Sequence, residues 1–367
     1  MTYVPPPLGC SRQQLDTPSL ILDLDVFERN VTRLAEFFRQ NRVAWRPHAK
    51  SYKCTEVVKR VVAAGAIGVT CAKLGEAEVF ADAGVRDLLI TGPLVGPRKL
   101  ERLVALRRRA DPITVVDHVD HVAALAAAAE AGGVRLRVLI EIDMGMSRCG
   151  VAPGAPAVEL ARTIAASPSL ELAGIMGWEG HLLMIDDAAE KHAKIASAIG
   201  LLADTRRQLE AAGLPCPIVS AGGTGSFQVT ATLGVATEIQ AGGAVFMDLF
   251  YANKCHVTGL EFALTLLGSV ISRPAVDRAV VDAGRKSFSP DLHLPAVAGR
   301  DDAKVKWLSA EHGVLDVVAA PGPRIGEKIE FVLGYGDWTT VLHDRYYVFR
   351  GDRLEAIWPL DARGRAD

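Results

Sequence analysis

Apolar and polar positions follow two different textures along this chain, and the change falls near residue 255. In the first, short runs rich in Val and Ile recur at 43–48, 68–72, 87–92, 113–117, 136–143, 172–178, 217–221 and 237–242. Between them, segments rich in Ala, Leu, Arg and Glu keep a helical period at 99–110, 119–131, 157–166 and 188–212. A further helix over 26–41 precedes the first strand, with Asp23 and Asp25 placed as caps and Val26, Val31, Leu34 and Phe37/Phe38 as its apolar side. Eight strands alternating with helices predict an α/β fold, a (β/α)8 TIM barrel over residues 26–255. In the second texture, alternating runs at 264–272, 278–282, 328–333, 345–350 and 354–359 come with turn signals and no helices between them. That pattern predicts a C-terminal antiparallel β domain over 256–367. Residues 1–25 are expected to form an N-terminal lead packing with it, and the charged stretch Arg300–Lys306 reads as a loop.

Composition narrows the function classes. The chain has 367 residues, is 49% hydrophobic and 23% charged, and so lies outside the disordered and fibrous classes. With 41 basic against 43 acidic side chains it carries no electrostatic footprint for nucleic acid or an acidic membrane. No apolar run reaches the roughly 18 residues of a membrane span; the nearest, Val257 to Ile271, carries Glu261. The N-terminus lacks the basic-then-apolar build of a signal peptide. Six cysteines at scattered positions show no metal-type spacing, and a reducing cytoplasm is the expected location.

Candidate chemistry is expected at the C-terminal ends of the barrel strands. The first strand ends Arg46-Pro-His-Ala-Lys50, where alternation puts Arg46, His48 and Lys50 on one face. A desolvated lysine at that lip is a nucleophile for an aldehyde; a solvated loop lysine is the alternative. The fifth strand runs from Glu141 into Asp143 and Arg148, and the sixth ends Trp178-Glu-Gly-His181. Past the seventh and eighth strands lie two small-residue turns, Gly222-Gly-Thr224-Gly225-Ser226 and Gln240-Ala-Gly-Gly243-Ala244. A tight turn explains either one alone, but loops in these two places commonly share a phosphate. GxGxxG and GxxxxGK[ST] are both absent. A reactive lysine facing a phosphate cup suits pyridoxal 5'-phosphate, an aldehyde whose ring is an electron sink.

At this point a resemblance enters. Arg46-Pro-His-Ala-Lys50, Thr17–Asp25, Asp143–Gly150, Glu179-Gly-His181, Gly222–Gly225, Gln240–Gly243 with Phe246-Met-Asp248, Asp282-Ala-Gly284 and Glu311-His-Gly313 resemble, in order, the D-threonine aldolase/D-serine dehydratase family. That family belongs to the alanine-racemase-like fold type III pyridoxal phosphate enzymes. The resemblance implies Lys50 as the Schiff-base lysine with His48 beside it, and Arg148 at the phenolate side of the cofactor. It also implies phosphate binding by Gly222, Gly223, Thr224, Gly225, Gly243 and Ala244. Trp178 stands where the family places a tyrosine near the ring. The family's C-terminal domain carries a metal site of His-x-Cys or His-x-Asp pattern; the matching stretch here reads Gly334-Tyr335-Gly336-Asp337. Asp337 with waters is the remaining candidate ligand for Mg2+ or Mn2+, and metal independence is the other expectation.

The activity implied is retro-aldol cleavage of a β-hydroxy-D-amino acid to an aldehyde and a smaller amino acid such as glycine. His181, His312, Asp337 and Tyr335 are the candidates for moving the hydroxyl proton. Three other readings stand beside it: a 3-hydroxy-D-amino acid dehydratase, an amino acid racemase, and a non-catalytic pyridoxal phosphate carrier. The resemblance also implies a homodimer.

Overall fold

The structure is a computed structural model that describes residues 4–367. Contacts divide the chain into two units, one of residues 1–33, 51–54 and 243–363 and the other of residues 34–50, 55–242 and 364–367. The chain begins with β1 (Ser19–Asp23) and α1 (Leu24–Gln40), and α1 contributes to both units.

The barrel unit is built on β2 (Ala44–Trp45), β3 (Val69–Cys71), β4 (Asp87–Ile90), β5 (Asp111–Val116), β6 (Leu136–Glu141), β7 (Leu170–Met176), β8 (Ile218–Ala221) and β9 (Glu238–Ile239). All eight are parallel, in the order β2-β9-β8-β7-β6-β5-β4-β3, and a bridge between His48 and Thr70 joins the two ends. Helices α2 (Thr55–Ala63), α3 (Leu74–Asp82), α4 (Pro97–Arg107), α5 (Val119–Gly132), α6 (Ala155–Ala165), α7 (Ala188–Ala211) and the short α8 (Phe227–Thr230) alternate with them. Strands covered on both faces need aliphatic side chains at successive positions. Leu89, Ile113, Val115, Leu139, Ala173 and Met176 accordingly form one buried cluster. The end of α1 lays Phe38 on Trp45 (5.8 Å, stacked) and against Phe227 (5.7 Å).

The first strand is shorter than its hydrophobic run. It ends at Trp45, and Arg46 leaves the face it was expected to share with His48 and Lys50. The guanidinium is fully buried, with Nε 2.9 Å from Glu238 and Nη1 2.7 Å from Asp87, the first residues of β9 and β4. Arg46 is therefore a structural ion pair.

The second unit holds α9 (Leu249–Asn253), β10 (Leu264–Ala275), β11 (Arg278–Val281), β12 (Ala296–Val297), β13 (Ala303–Leu308), β14 (Gly313–Val317), β15 (Lys328–Val332), α10 (Gly336–Thr340), β16 (Arg345–Arg350) and β17 (Arg353–Pro359). Its sheet runs β13-β14-β11-β10-β1-β16-β17, with β15 also on β10 and β12 on β15. Every pairing is antiparallel except β1 with β16. The N-terminal lead thus supplies an interior strand, whose Ile21 packs with Leu267, Phe349 and Leu354. Two expectations are corrected here. Ala303–Lys306 is strand rather than loop, its Lys304 paired opposite Asp316 and its Lys306 Nζ 2.8 Å from Asp316. And α10 interrupts the strands that were expected to follow one another without helices.

Among the described residues, no helix is long and apolar enough to cross a membrane. Among the described residues, none of the six cysteines is in a disulfide.

Candidate active site

In the barrel unit, the turn after β2 is set by backbone contacts. His48 N–H donates to the Gln240 carbonyl at 3.0 Å. Gly242 lies so close that a Cβ there would stand 2.1 Å from the His48 oxygen, so only glycine fits. A single 3-10 turn, Ala49–Ser51, then presents Lys50, whose N–H reaches His48 Nδ1 at 3.4 Å. The Lys50 ammonium stands 5.5 Å from the Trp178 ring centroid, and the Arg148 guanidinium carbon 5.1 Å from the same ring. Two cations within reach of one ring put the indole at the centre of the arrangement.

Two glycines make room for that indole. A Cβ on Gly180 would fall 2.6 Å from the ring, and one on Gly223 would fall 3.1 Å from Nε1. Gly223 belongs to the turn Gly222–Ser226, where Gly222 has φ +73° and Ser226 Oγ accepts from Gly223 N–H at 3.1 Å. Thr224, Gly225 and Ser226 are buried there. His181 is exposed on the turn Gly180–Leu182 and packs against the bare face of Gly145, in the loop that carries Arg148. Asp143 ties that loop down by accepting from Gly145 N–H (2.9 Å) and Ser147 N–H (3.1 Å).

Sequence reading passed over Glu141, at the end of β6. Its carboxylate is buried, Oε1 lies 3.7 Å from Arg148, and Oε2 has no partner among the described residues. Burial pushes its carboxyl up to about 7, with the charge of Arg148 pulling the other way. Glu179, between Trp178 and Gly180, is likewise buried and accepts from Thr230 Oγ1 at 2.6 Å. The only sequence signal for Glu141 was a carboxylate at the end of an aliphatic run, which a solvated loop shows equally; Glu179 stood in the Glu179-Gly-His181 string without a role of its own.

The other unit holds the remaining candidates. Gly243 and Ala244 are buried in a short 3-10 turn, with the Gly243 carbonyl accepting from Phe246 and Met247. Tyr335 and Asp337 lie at the start of α10, and the Tyr335 hydroxyl donates to Asp337 Oδ2 at 3.2 Å. The Tyr251 ring lies tilted against that of Tyr335, 5.8 Å between centroids. Burial, reinforced by Asp337, raises the Tyr335 phenol well above its ordinary range, so it stays protonated. His312 is on the turn between β13 and β14, exposed.

The barrel residues fit pyridoxal phosphate: an amine that would take the aldehyde, an arginine that would face the phenolate oxygen, an aromatic plate, and a glycine turn where a Cβ at Gly223 would crowd the indole. Among the described residues, no three His, Cys, Asp or Glu side chains come together as a ligand set for a divalent metal. Asp337 is already engaged by Tyr335, and Asp248 accepts from Gly336 N–H (2.8 Å) and Tyr251 N–H (2.9 Å).

Residues 22–249 match the family described as alanine racemase, N-terminal domain. The chain belongs to this family. Residues 263–349 of the alanine-racemase-like chain also match a serine dehydratase domain family. The 3-hydroxy-D-aspartate aldolase of Paracoccus denitrificans is 37% identical, over 97% of this chain and 94% of its own length. The D-threonine aldolase of an Arthrobacter species is 36% identical, over 98% and 97%. The crystal structure of D-threonine aldolase from Filomicrobium marinum superposes with a TM-score of 0.96 at 39% identity, covering 99% of this chain and all of that one. Pyridoxal phosphate is the cofactor this family implies.

Proposed function

We propose that the chain is a pyridoxal phosphate-dependent aldolase that cleaves a β-hydroxy-D-amino acid into an aldehyde and a smaller amino acid such as glycine. One observation carries the reading: the Lys50 amine and the Arg148 guanidinium gather on the Trp178 indole, beside the Gly222–Gly225 turn. Full-length likeness to aldolases supports the bond that is cut.

Lys50 Nζ would hold the cofactor's aldehyde, Arg148 its phenolate oxygen, and Gly222, Gly223, Thr224, Gly225, Gly243 and Ala244 its phosphate. Bound there, the cofactor supplies a sink for the electron pair left at Cα when Cα–Cβ breaks. Trp178 walls the ring; its Nε1–H can donate but the indole accepts nothing. His48, beneath Lys50, orients the turn that carries the amine. After cleavage Lys50 Nζ is the group to return a proton to Cα. His181 and Tyr335 with Asp337 are the groups offered for the β-hydroxyl proton, and His312 is the weakest of the set because it stands exposed on a turn.

The test is incubation with D-threonine and D-phenylserine, with aldehyde as the readout. The expected result is aldehyde and glycine in equal amounts. Ammonia and an oxo acid would instead identify a dehydratase, the reading that the match at residues 263–349 favours. Borohydride reduction followed by peptide mapping should place the pyridoxyl label on Lys50; a label on another lysine would overturn the scheme. We also infer a homodimer in a reducing cytoplasm, the compartment suited to six cysteines outside disulfides; light scattering at twice the chain mass checks the dimer.

A further inference from the structure

In the turn after β8, the residue nearest Trp178 uses its own polar groups internally. Gly223 N–H donates to Ser226 Oγ at 3.1 Å, and the Gly223 carbonyl accepts from Ser226 N–H (3.1 Å) and Phe227 N–H (2.9 Å). What faces the bare side of Gly223 is the Trp178 indole, with Nε1 3.1 Å from the position a Cβ would take. At its other edge the same ring lies over Gly180, where an added Cβ would come 2.6 Å from Cη2 and 2.7 Å from Cζ2 and Cζ3. Two glycines thus set the direction of the indole N–H, a group that donates and never accepts.

The backbone that carries the indole is fastened as well. Glu179, the next residue, is fully buried and accepts from Thr230 Oγ1 at 2.6 Å. Thr230 ends α8, which follows the turn directly, and its Cγ2 stands 3.4 Å from the Cβ that Gly222 would carry. One buried hydrogen bond therefore joins the end of β7 to the turn after β8. Ser226 Oγ, having accepted from Gly223, keeps its own hydroxyl proton to give. All of these residues belong to the barrel unit.

We propose that Trp178 Nε1–H is a phosphate donor: at Gly223 the indole, and not the backbone amide, gives a hydrogen bond to the cofactor's phosphate. The inference rests on the pyridoxal phosphate reading above. Gly223 contributes room, and the Ser226 hydroxyl is the second donor at the same place. A hydrogen bond to a charged acceptor is stronger than one between neutral groups. Loss of the indole donor is therefore felt by a phosphate ester and not by the corresponding alcohol.

The test takes the full chain, strips it of cofactor with hydroxylamine, and titrates it with pyridoxal 5'-phosphate and with pyridoxal, reading the absorbance of the bound aldehyde. Trp178→Phe keeps an aromatic face and has no N–H. Its affinity for pyridoxal 5'-phosphate should fall by roughly 10-fold or more, while its affinity for pyridoxal stays within about twofold of the parent. Thr230→Val cuts the tie to Glu179 and should show a smaller loss that is again confined to the phosphate ester. A Trp178→Phe protein that prefers the phosphate ester as strongly as the parent overturns the proposal and leaves the cofactor reading standing. Equal losses for both aldehydes, in Trp178→Phe or in Thr230→Val, also overturn it, since packing alone would then explain them. A parent that binds the two aldehydes equally well removes the phosphate seat itself, and the proposal with it.

Discussion

At the scale of single residues, the barrel mouth depends on a carboxyl that sequence inspection treats as ordinary. Glu141 ends β6 beside Arg148, and burial raises it from 4.5 to about 7. Between those two values the native state holds a proton that the unfolded chain has lost, so folding stability must fall as pH rises across that window. The shift corresponds to roughly 3 kcal/mol at full effect. Glu141→Gln cannot ionise, so its melting temperature should be flatter from pH 5 to pH 8, and the variant should exceed the parent at pH 8. Melting curves at four pH values check this; parallel slopes would show Glu141 ionised throughout. Arg46 offers the opposite case. It reads from sequence as part of a lysine-bearing face, yet it is buried between Glu238 and Asp87. Arg46→Met leaves two carboxylates without their cation and should cost about 3–5 kcal/mol, seen as a shifted urea midpoint. Lys50 and Arg148 could be singled out because each stands in a motif, and both lie near the Trp178 ring. Glu141 was not, because a carboxylate at the end of an aliphatic run looks the same wet or dry.

At the scale of elements, all eight barrel strands were visible, since strands covered on both faces must be written as unbroken aliphatic runs. Their lengths were not visible: β2 and β9 shrink to two residues each, as the chain turns early to place Arg46 and His48. β13 was hidden for a different reason. Lys304 and Lys306 alternate with apolar neighbours, but their charge masks the period of two until Asp316 on β14 is seen opposite. Two glycines make the energetic point about where such elements meet. At Gly242 an added Cβ would strike the His48 backbone oxygen at 2.1 Å, and no rotamer relieves a backbone clash. At Gly200, inside α7, nothing lies within 4 Å. Gly242→Ala should therefore destabilise by about 1–3 kcal/mol or more, whereas Gly200→Ala should stabilise by about 1 kcal/mol by restoring a helix former. Opposite signs in one denaturation experiment are the expected outcome; equal shifts would contradict the contact at His48.

At the scale of the whole molecule, the sequence order of the elements conceals how they are grouped. The first 33 residues belong with 243–363, and the last four belong with the barrel, where the Asp367 carbonyl accepts from Gly75 N–H. Local patterns cannot reveal such grouping, because pairing partners hundreds of residues apart leave no joint period. Residues 1–25 were expected to pack with the β domain; β1 goes further and lies inside its sheet, flanked by β10 and β16. A protein lacking residues 1–23 should bare the edges of both neighbours. It should elute as aggregate in size-exclusion chromatography, while the full chain elutes as a single discrete species.

The position of β1 also dictates an order of events during synthesis. Its partner Leu267 emerges from the ribosome nearly 250 residues after Ser19. At about 5–20 residues per second, that is a delay of roughly 12–50 s. The barrel residues up to Gly242 are all made within that interval, so all eight barrel strands can be out while an apolar strand of the other unit still waits. A nascent chain of this design carries its own unpaired β-strand past the ribosome exit, and that strand is the segment a chaperone would be expected to hold.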